Sequence, residues 1–336
     1  MRRTRACLFA FAIASCAGST DQTIAQQADS SLDGYLKPQT LAPLPDGRHI
    51  HLFCLGKGSP VAIVAPGWHI PAPVWHRMQQ PMAKLTRVCI YDRAGYSFSD
   101  PGPMPRDTAA ETKDLHDALH AVGLKGPYVL IGHSLGGFDA RLFAYKYPRE
   151  TAGLLLLDPP TEGVYQHTRE PDEDVNLMGR CAQIVRHHRL TWSEGLKNGC
   201  LNLKPGRNWP AAMWAKMLAD QNRAIWYETL VSEDVSMVTR SADELVAARR
   251  PLGSIPLIVL QADSDCRSAN SVSQRFDVAR CAELERQARD STRGERRIIK
   301  GASHMIQNDK PQVVLAAFAE IIKTTRASGL ATAESH

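Results

Sequence analysis

The 336-residue chain has no Cys-x-x-Cys and no His-Glu-x-x-His spacing. The usual zinc signatures are therefore missing, and neither a metal nor a cofactor is expected. No apolar run is long enough to span a bilayer as a helix. There is no internal repeat and no long biased stretch, which argues against solenoids and disorder. Charge of one sign is also scarce. The net charge is +5, yet three arginines sit in the first five residues, and without them 37 Lys+Arg face 35 Asp+Glu. No basic patch with interleaved aromatics occurs, so nucleic acid is not an expected partner. His116 and His120 lie four apart on an expected helix. With Leu115 and Leu119 at the apolar edge beside them, they read as a solvated flank rather than a ligand pair.

What is present suits a globular enzyme. The chain is 43% hydrophobic and 22% charged, enough for one large core or a core plus a smaller domain. Its N-terminus reads as an export signal: Arg2, Arg3 and Arg5 precede the short apolar run Ala6 to Ala14. Ile13-Ala14-Ser15-Cys16 resembles the bacterial lipobox, in which the Cys becomes the lipidated first residue. Cleavage after Ala25 is the alternative. The expected location is thus the periplasm or outer membrane through lipidated Cys16, or free secretion. Residues 17–34 are polar and read as a flexible tether. Beyond Cys7 and Cys16, six cysteines remain, an even number that suits disulfides in an oxidising compartment.

From residue 35 onward, strands and helices alternate. Val61–Ala65 and Arg87–Tyr91 are continuous apolar runs, the pattern of strands buried on both faces. Thr108-Ala109-Ala110-Glu111 reads as a capping box opening a helix over Leu115, Ala118, Leu119 and Val122. Tyr128–Ile131 is a strand running into Gly132-His133-Ser134-Leu135-Gly136-Gly137, and Phe138, Leu142 and Tyr145 mark the helix that follows. Gly153–Leu157, Pro256–Leu260 and Arg297–Ile299 repeat the strand pattern, and a last helix opens at Pro311. The expected fold is α/β, a mostly parallel doubly wound sheet covered on both faces. Residues 161–250 break the alternation, hold four of the six tryptophans, and read as an inserted helical lid. The core is then 35–160 and 251–325, with a tail at 326–336.

Four motifs in this order resemble the α/β-hydrolase family: Ala65-Pro66-Gly67-Trp68, Tyr91-Asp92-Arg93-Ala94-Gly95-Tyr96-Ser97, Gly132-His133-Ser134-Leu135-Gly136-Gly137 and Gly301-Ala302-Ser303-His304. The resemblance runs from about Ile50 to Thr325. It implies that Ser134, in the G-x-S-x-G turn, is the nucleophile and that His304 is its base. For the acid it points first to Asp265, with Asp158 as the alternative and Asp263 third. Leu135 and Trp68 match the two backbone donors of the oxyanion hole. Asp92 and Arg93 are expected to pin the loop beneath the site. The implied activity is hydrolysis of a small-molecule carboxylic ester through an acyl-enzyme, the lid tryptophans suggesting an apolar or aromatic group. Amide, lactone or carbon–carbon bond hydrolysis, or a silent binding protein on the same fold, are the alternatives. Dehalogenase and epoxide hydrolase chemistry is disfavoured, because those relatives carry Asp where Ser134 stands. Sequence-near pairing gives disulfides Cys181–Cys200 and Cys266–Cys281. The family's sheet order places Cys54 beside Cys89, which either pair or remain free thiols packed in the sheet.

Overall fold

The computed structural model of the protein describes residues 30–163, 173–201, 208–264, 266 and 272–329. The segment 1–16 with Cys16, most of the tether, Asp265 and the end of the tail lie outside the described residues.

Eight strands form one sheet: β1 (Thr40–Pro43), β2 (His49–Leu55), β3 (Ala62–Ala65), β4 (Val88–Tyr91), β5 (Tyr128–His133), β6 (Thr151–Leu157), β7 (Leu257–Ala262) and β8 (Gly294–Ile299). Their order is β1-β2-β4-β3-β5-β6-β7-β8. β2 runs antiparallel to both neighbours, and the remaining pairings are parallel. Every residue of β3, β4, β5 and β6 is buried, which is why they read as unbroken apolar runs. β1 gave no such signal. It is a four-residue edge strand ending in Pro43, with Leu41 exposed.

The helices are α1 (His76–Ala83), α2 (Thr108–Ala121), α3 (Gly136–Lys146), α4 (Glu173–His187), α5 (Trp192–Lys197), α6 (Ala211–Gln221), α7 (Ala224–Ser236), α8 (Ala242–Ala248), α9 (Val272–Ala288), α10 (Ile306–Asp309) and α11 (Pro311–Ala327). Successive strand residues face opposite sides, so two cores form. Ile63, Leu130, Leu154 and Leu156 meet α2, α3 and α8 through Leu115, Leu119, Phe138, Leu142 and Leu245. Val64, Ile131, Leu155 and Leu157 meet α1 and α11 through Met78, Met82, Val314, Phe318 and Ile321.

Three local expectations are corrected. Asp107, not Thr108, caps α2: its carboxylate accepts from Ala110 N at 2.9 Å. Glu111 turns inward to Arg106 at 2.9 Å, so the reciprocal half of the capping box does not form. Residues 30–34 are not tether. Ser30–Leu36 forms a 3₁₀ helix whose Leu32 and Tyr35 are buried, Tyr35 lying on Phe53 with ring centroids 4.1 Å apart. An apolar pair this close to the sheet gains more by burial than as solvated chain. The segment 161–250 is also not all lid. α8 packs beside α3, and Trp209 and Trp214 join the core under α1 and α11. A separate small core is built from Met178, Cys181, Trp226, Tyr227 and Leu230 over Tyr96. Glu162, at the start of the insertion, is buried and accepts from Arg141 and Arg249 at 2.7 Å each; Arg249 stands at its far end.

The three disulfides are Cys54–Cys89, Cys181–Cys200 and Cys266–Cys281. The first joins residues directly opposite each other in the antiparallel β2–β4 pair. The second ties α4 to the turn after α5, and the third anchors α9 to the loop after β7.

Candidate active site

β5 delivers the chain to Ser134 at the carboxyl edge of the sheet, where α3 begins. The turn between them is too tight for ordinary residues. A Cβ on Gly136 would lie 2.1 Å from the carbonyl oxygen of Ala65. Ser134 itself has φ 50°, a left-handed backbone that costs a non-glycine residue on the order of 1–2 kcal/mol. The turn is held because Ser134 N donates to Leu157 O at 3.0 Å and Gly137 N to Ser134 O at 2.7 Å. Asp158, at the end of β6, is strained in the same way with φ 44°, and its N–H donates to Leu260 O at 2.7 Å.

His304 faces Asp158. Its Nδ1 lies 2.6 Å from Asp158 Oδ2. An ionised carboxylate only accepts, so Nδ1 carries the proton and Nε2 is left with its lone pair. The other oxygen of Asp158 accepts from Ala262 N at 2.9 Å and from Arg280 Nη2 at 2.7 Å. Burial alone would raise the Asp158 carboxyl. The hydrogen bond from His304 and the charge and hydrogen bond of Arg280 outweigh it and hold the group at about 2. Asp265, the acid the resemblance points to first, lies outside the described residues. The carboxylate found on His304 is that of Asp158. Asp263 braces the His304 loop instead, accepting from Gly301 N at 2.8 Å and Lys300 Nζ at 2.9 Å.

His133, next to Ser134, is fully buried and donates from Nε2 to the carbonyl of His304 at 3.0 Å. Burial, then the neighbouring His304, lowers it to about 3, so it is a neutral prop for the loop that carries His304. No local pattern in the sequence signals that support.

Gly67 lies directly against Ser134: a Cβ there would come 3.0 Å from Ser134 Cβ and 2.7 Å from His133 Nδ1. After it, a turn closes from Ile70 N to Gly67 O at 3.2 Å, with His69 at φ 59°. Arg93, buried beneath, donates to Pro66 O at 2.6 Å and Gly67 O at 3.2 Å. In a trans peptide the carbonyl and the next N–H point opposite ways. Fixing Gly67 O on Arg93 therefore turns the Trp68 N–H away from the guanidinium. Arg93 Nε and Nη2 also donate to the buried Glu233 of α7 at 2.7 and 3.2 Å, and Tyr96 OH adds a bond to Glu233 at 2.7 Å. The Trp68 indole donates to Leu230 O of the same helix at 2.9 Å. α7 is thus bonded to this loop directly through Trp68 and indirectly through Arg93. The expected pinning role of Arg93 takes this form, whereas Asp92 bonds His51 at 2.8 Å.

A cavity of about 190 Å³ opens on Ser134 and His304 and is walled by Asp158, Pro159, Pro160, Thr161, Phe276 and Arg280. No tryptophan lines it; the lid tryptophans pack on one another and on the cores. Phe276 and Arg280 come from α9, a helix that gave no site signal in the sequence because its arginines look like any solvated face.

Among the described residues, His116, His120 and Glu150 form a group able to hold a metal ion, with donor atoms within 4.8 Å of one another. Both imidazoles face the Glu150 carboxylate, at 3.2 and 2.9 Å. The group sits where His116 stacks on Tyr147, at the opposite end of α3 from Ser134.

Several known proteins resemble this chain in sequence or in fold. A stretch of 115 residues is 30% identical to the uncharacterised protein YbdG of Bacillus subtilis, covering 34% of this chain and 35% of that one. The match thus spans about a third of that relative's length. An esterase of Thermogutta terrifontis, solved with malate bound, superposes with a TM-score of 0.57 at 22% identity over 86% of this chain and 99% of its own. A candidate epoxide hydrolase of Pseudomonas aeruginosa superposes with a TM-score of 0.59 at 18% identity over 85% and 99%. The sequence model of the alpha/beta hydrolase family matches residues 62–317, from β3 into α11. The chain belongs to the alpha/beta hydrolase family.

Proposed function

We propose that this protein is an exported serine hydrolase that cleaves carboxylic esters through an acyl-enzyme on Ser134, with His304 as base and Asp158 as acid. The observation that carries this reading is the 2.6 Å contact from His304 Nδ1 to Asp158 Oδ2 at a cavity shared with Ser134. His304 Nε2 takes the Ser134 proton as Oγ attacks the ester carbonyl. The imidazolium is stabilised by Asp158 and returns the proton to the leaving alcohol. The developing oxyanion is met by the N–H groups of Leu135 and Trp68, and the start of α3 favours the same negative charge. Water activated by His304 then hydrolyses the acyl-enzyme. Epoxide opening through a carboxylate nucleophile lacks that carboxylate here, since Ser134 occupies the turn. Export is supported by the Arg-rich apolar N-terminus and by three disulfides, which persist in oxidising compartments.

Turnover of p-nitrophenyl esters tests the assignment. Ser134→Ala is expected to lower kcat by about 10⁵-fold or more while leaving the fold intact. Retention of a tenth of the activity removes Ser134 from the mechanism.

A further inference from the structure

We propose that the cavity beside Ser134 holds an anion subsite, built from Arg280 and Thr161, which selects esters carrying a second, ionised carboxylate. The proposal rests on the ester-hydrolase reading and adds the substrate class.

Three observations point to it. First, Arg280 lines the cavity, and Asp158 Oδ1 is its one hydrogen-bond partner among the described residues. A guanidinium has five N–H donors, so most of its capacity remains unused. Second, Thr161 also lines the cavity and is 1% exposed, yet its hydroxyl has no partner among the described residues. A buried hydroxyl without a partner is costly, and an acceptor bound in the cavity relieves it. Third, Pro159 and Pro160 form the wall beside them. Neither offers an N–H, so the donors on this side are the guanidinium and the hydroxyl. A planar cation beside a hydroxyl suits a carboxylate, which Arg can engage through paired N–H···O bonds. The cavity is small and also contains the nucleophile, so the second carboxylate must lie a few carbons from the scissile carbonyl. Monoesters of short dicarboxylic acids meet that requirement.

Arg280 also touches the acid of the triad, so its replacement alters chemistry as well as selection. A ratio of two substrates within one variant separates these effects. The pair is p-nitrophenyl hemiglutarate and p-nitrophenyl pentanoate, compared by kcat/KM. The wild-type protein is expected to prefer the charged ester by about tenfold or more, the scale of one well-placed ionic contact. The preference should vanish in Arg280→Gln, persist in part in Arg280→Lys, and fall severalfold in Thr161→Val. Turnover of the pentanoate with no preference for the hemiglutarate overturns the subsite and leaves ester hydrolysis standing. If neither ester turns over and no fluorophosphonate adduct forms on Ser134, the ester reading fails, and calorimetric titration with glutarate decides the subsite alone. Glutarate binding that is lost in Arg280→Gln supports it; no binding, or equal binding to both proteins, overturns it.

Discussion

Asp158 meets three demands at once: it orients His304, accepts one bond from Arg280 and accepts the amide of Ala262. Asp158→Asn is therefore expected to lower kcat by about 10⁴-fold in folded protein, because an amide there lets His304 adopt the wrong tautomer. Measured ester turnover falling by less than tenfold removes Asp158 from the triad. Ser134 and His304 each sit in a short glycine-containing motif at a strand end, a pattern that can be read locally. The carboxylate that faces His304 sits in no such motif, and Asp158 stood only as the alternative. Both β6 and β7 run into aspartates, and the choice depends on which carboxylate reaches a histidine 146 residues away, a fact no local pattern contains. A second consequence at this scale concerns acid stability. Burial holds folded His133 at about 3 and folded His69 at about 4, against about 6.5 when unfolded. As pH falls below 6.5 the unfolded chain binds these protons first, so stability falls, until about pH 4 for His69 and about pH 3 for His133. Each contributes a slope of about 1.4 kcal/mol per pH unit in that window. Urea midpoints at pH 7 and pH 5 should therefore separate less in His133→Gln than in the wild type; equal separations would refute the buried neutral state.

At the level of elements, strands buried on both faces were readable, whereas β1 was not, since an edge strand of four residues carries no periodic signal. The lid was recognised as helical but not as bonded to the chemistry. That link runs through α7: Glu233 holds Arg93, Arg93 holds the carbonyl of Gly67, and Trp68 reaches back to Leu230. Glu233→Gln leaves a buried guanidinium without its counter-charge, a change that typically costs about 3–5 kcal/mol. It also loosens the Gly67–Trp68 peptide. The expected kinetic result is a kcat reduced by about ten- to a hundredfold with KM little changed, the mark of a contact made only in the transition state. A variant that is less stable yet keeps its kcat within twofold would show that the lid helix does not position the oxyanion donor.

Across the whole molecule, the disulfides fall one in the sheet, one in the insertion and one between the β7 loop and α9, so each major unit carries a crosslink. The 15-residue loop closed by Cys266–Cys281 alone is worth roughly 3 kcal/mol in the chain-entropy model. Such crosslinks accord with the proposed export, whose route ends at Cys16. Mass spectrometry of the membrane-associated protein should find an acylated Cys16 as the first residue; a chain starting near Gln26 without acyl mass would mean free secretion. Glu162 stands where the insertion begins. Because it binds Arg141 of α3 and Arg249 at the far end of the insertion, the excursion leaves and re-enters the core through a single latch. In evolutionary terms the stretch between is not a free cassette, since α8 and the Trp209–Trp214 pair fill the cores beneath it. A replacement would have to refill those cores as well as bring a carboxylate for Arg93, so lids on this scaffold are keyed at both places.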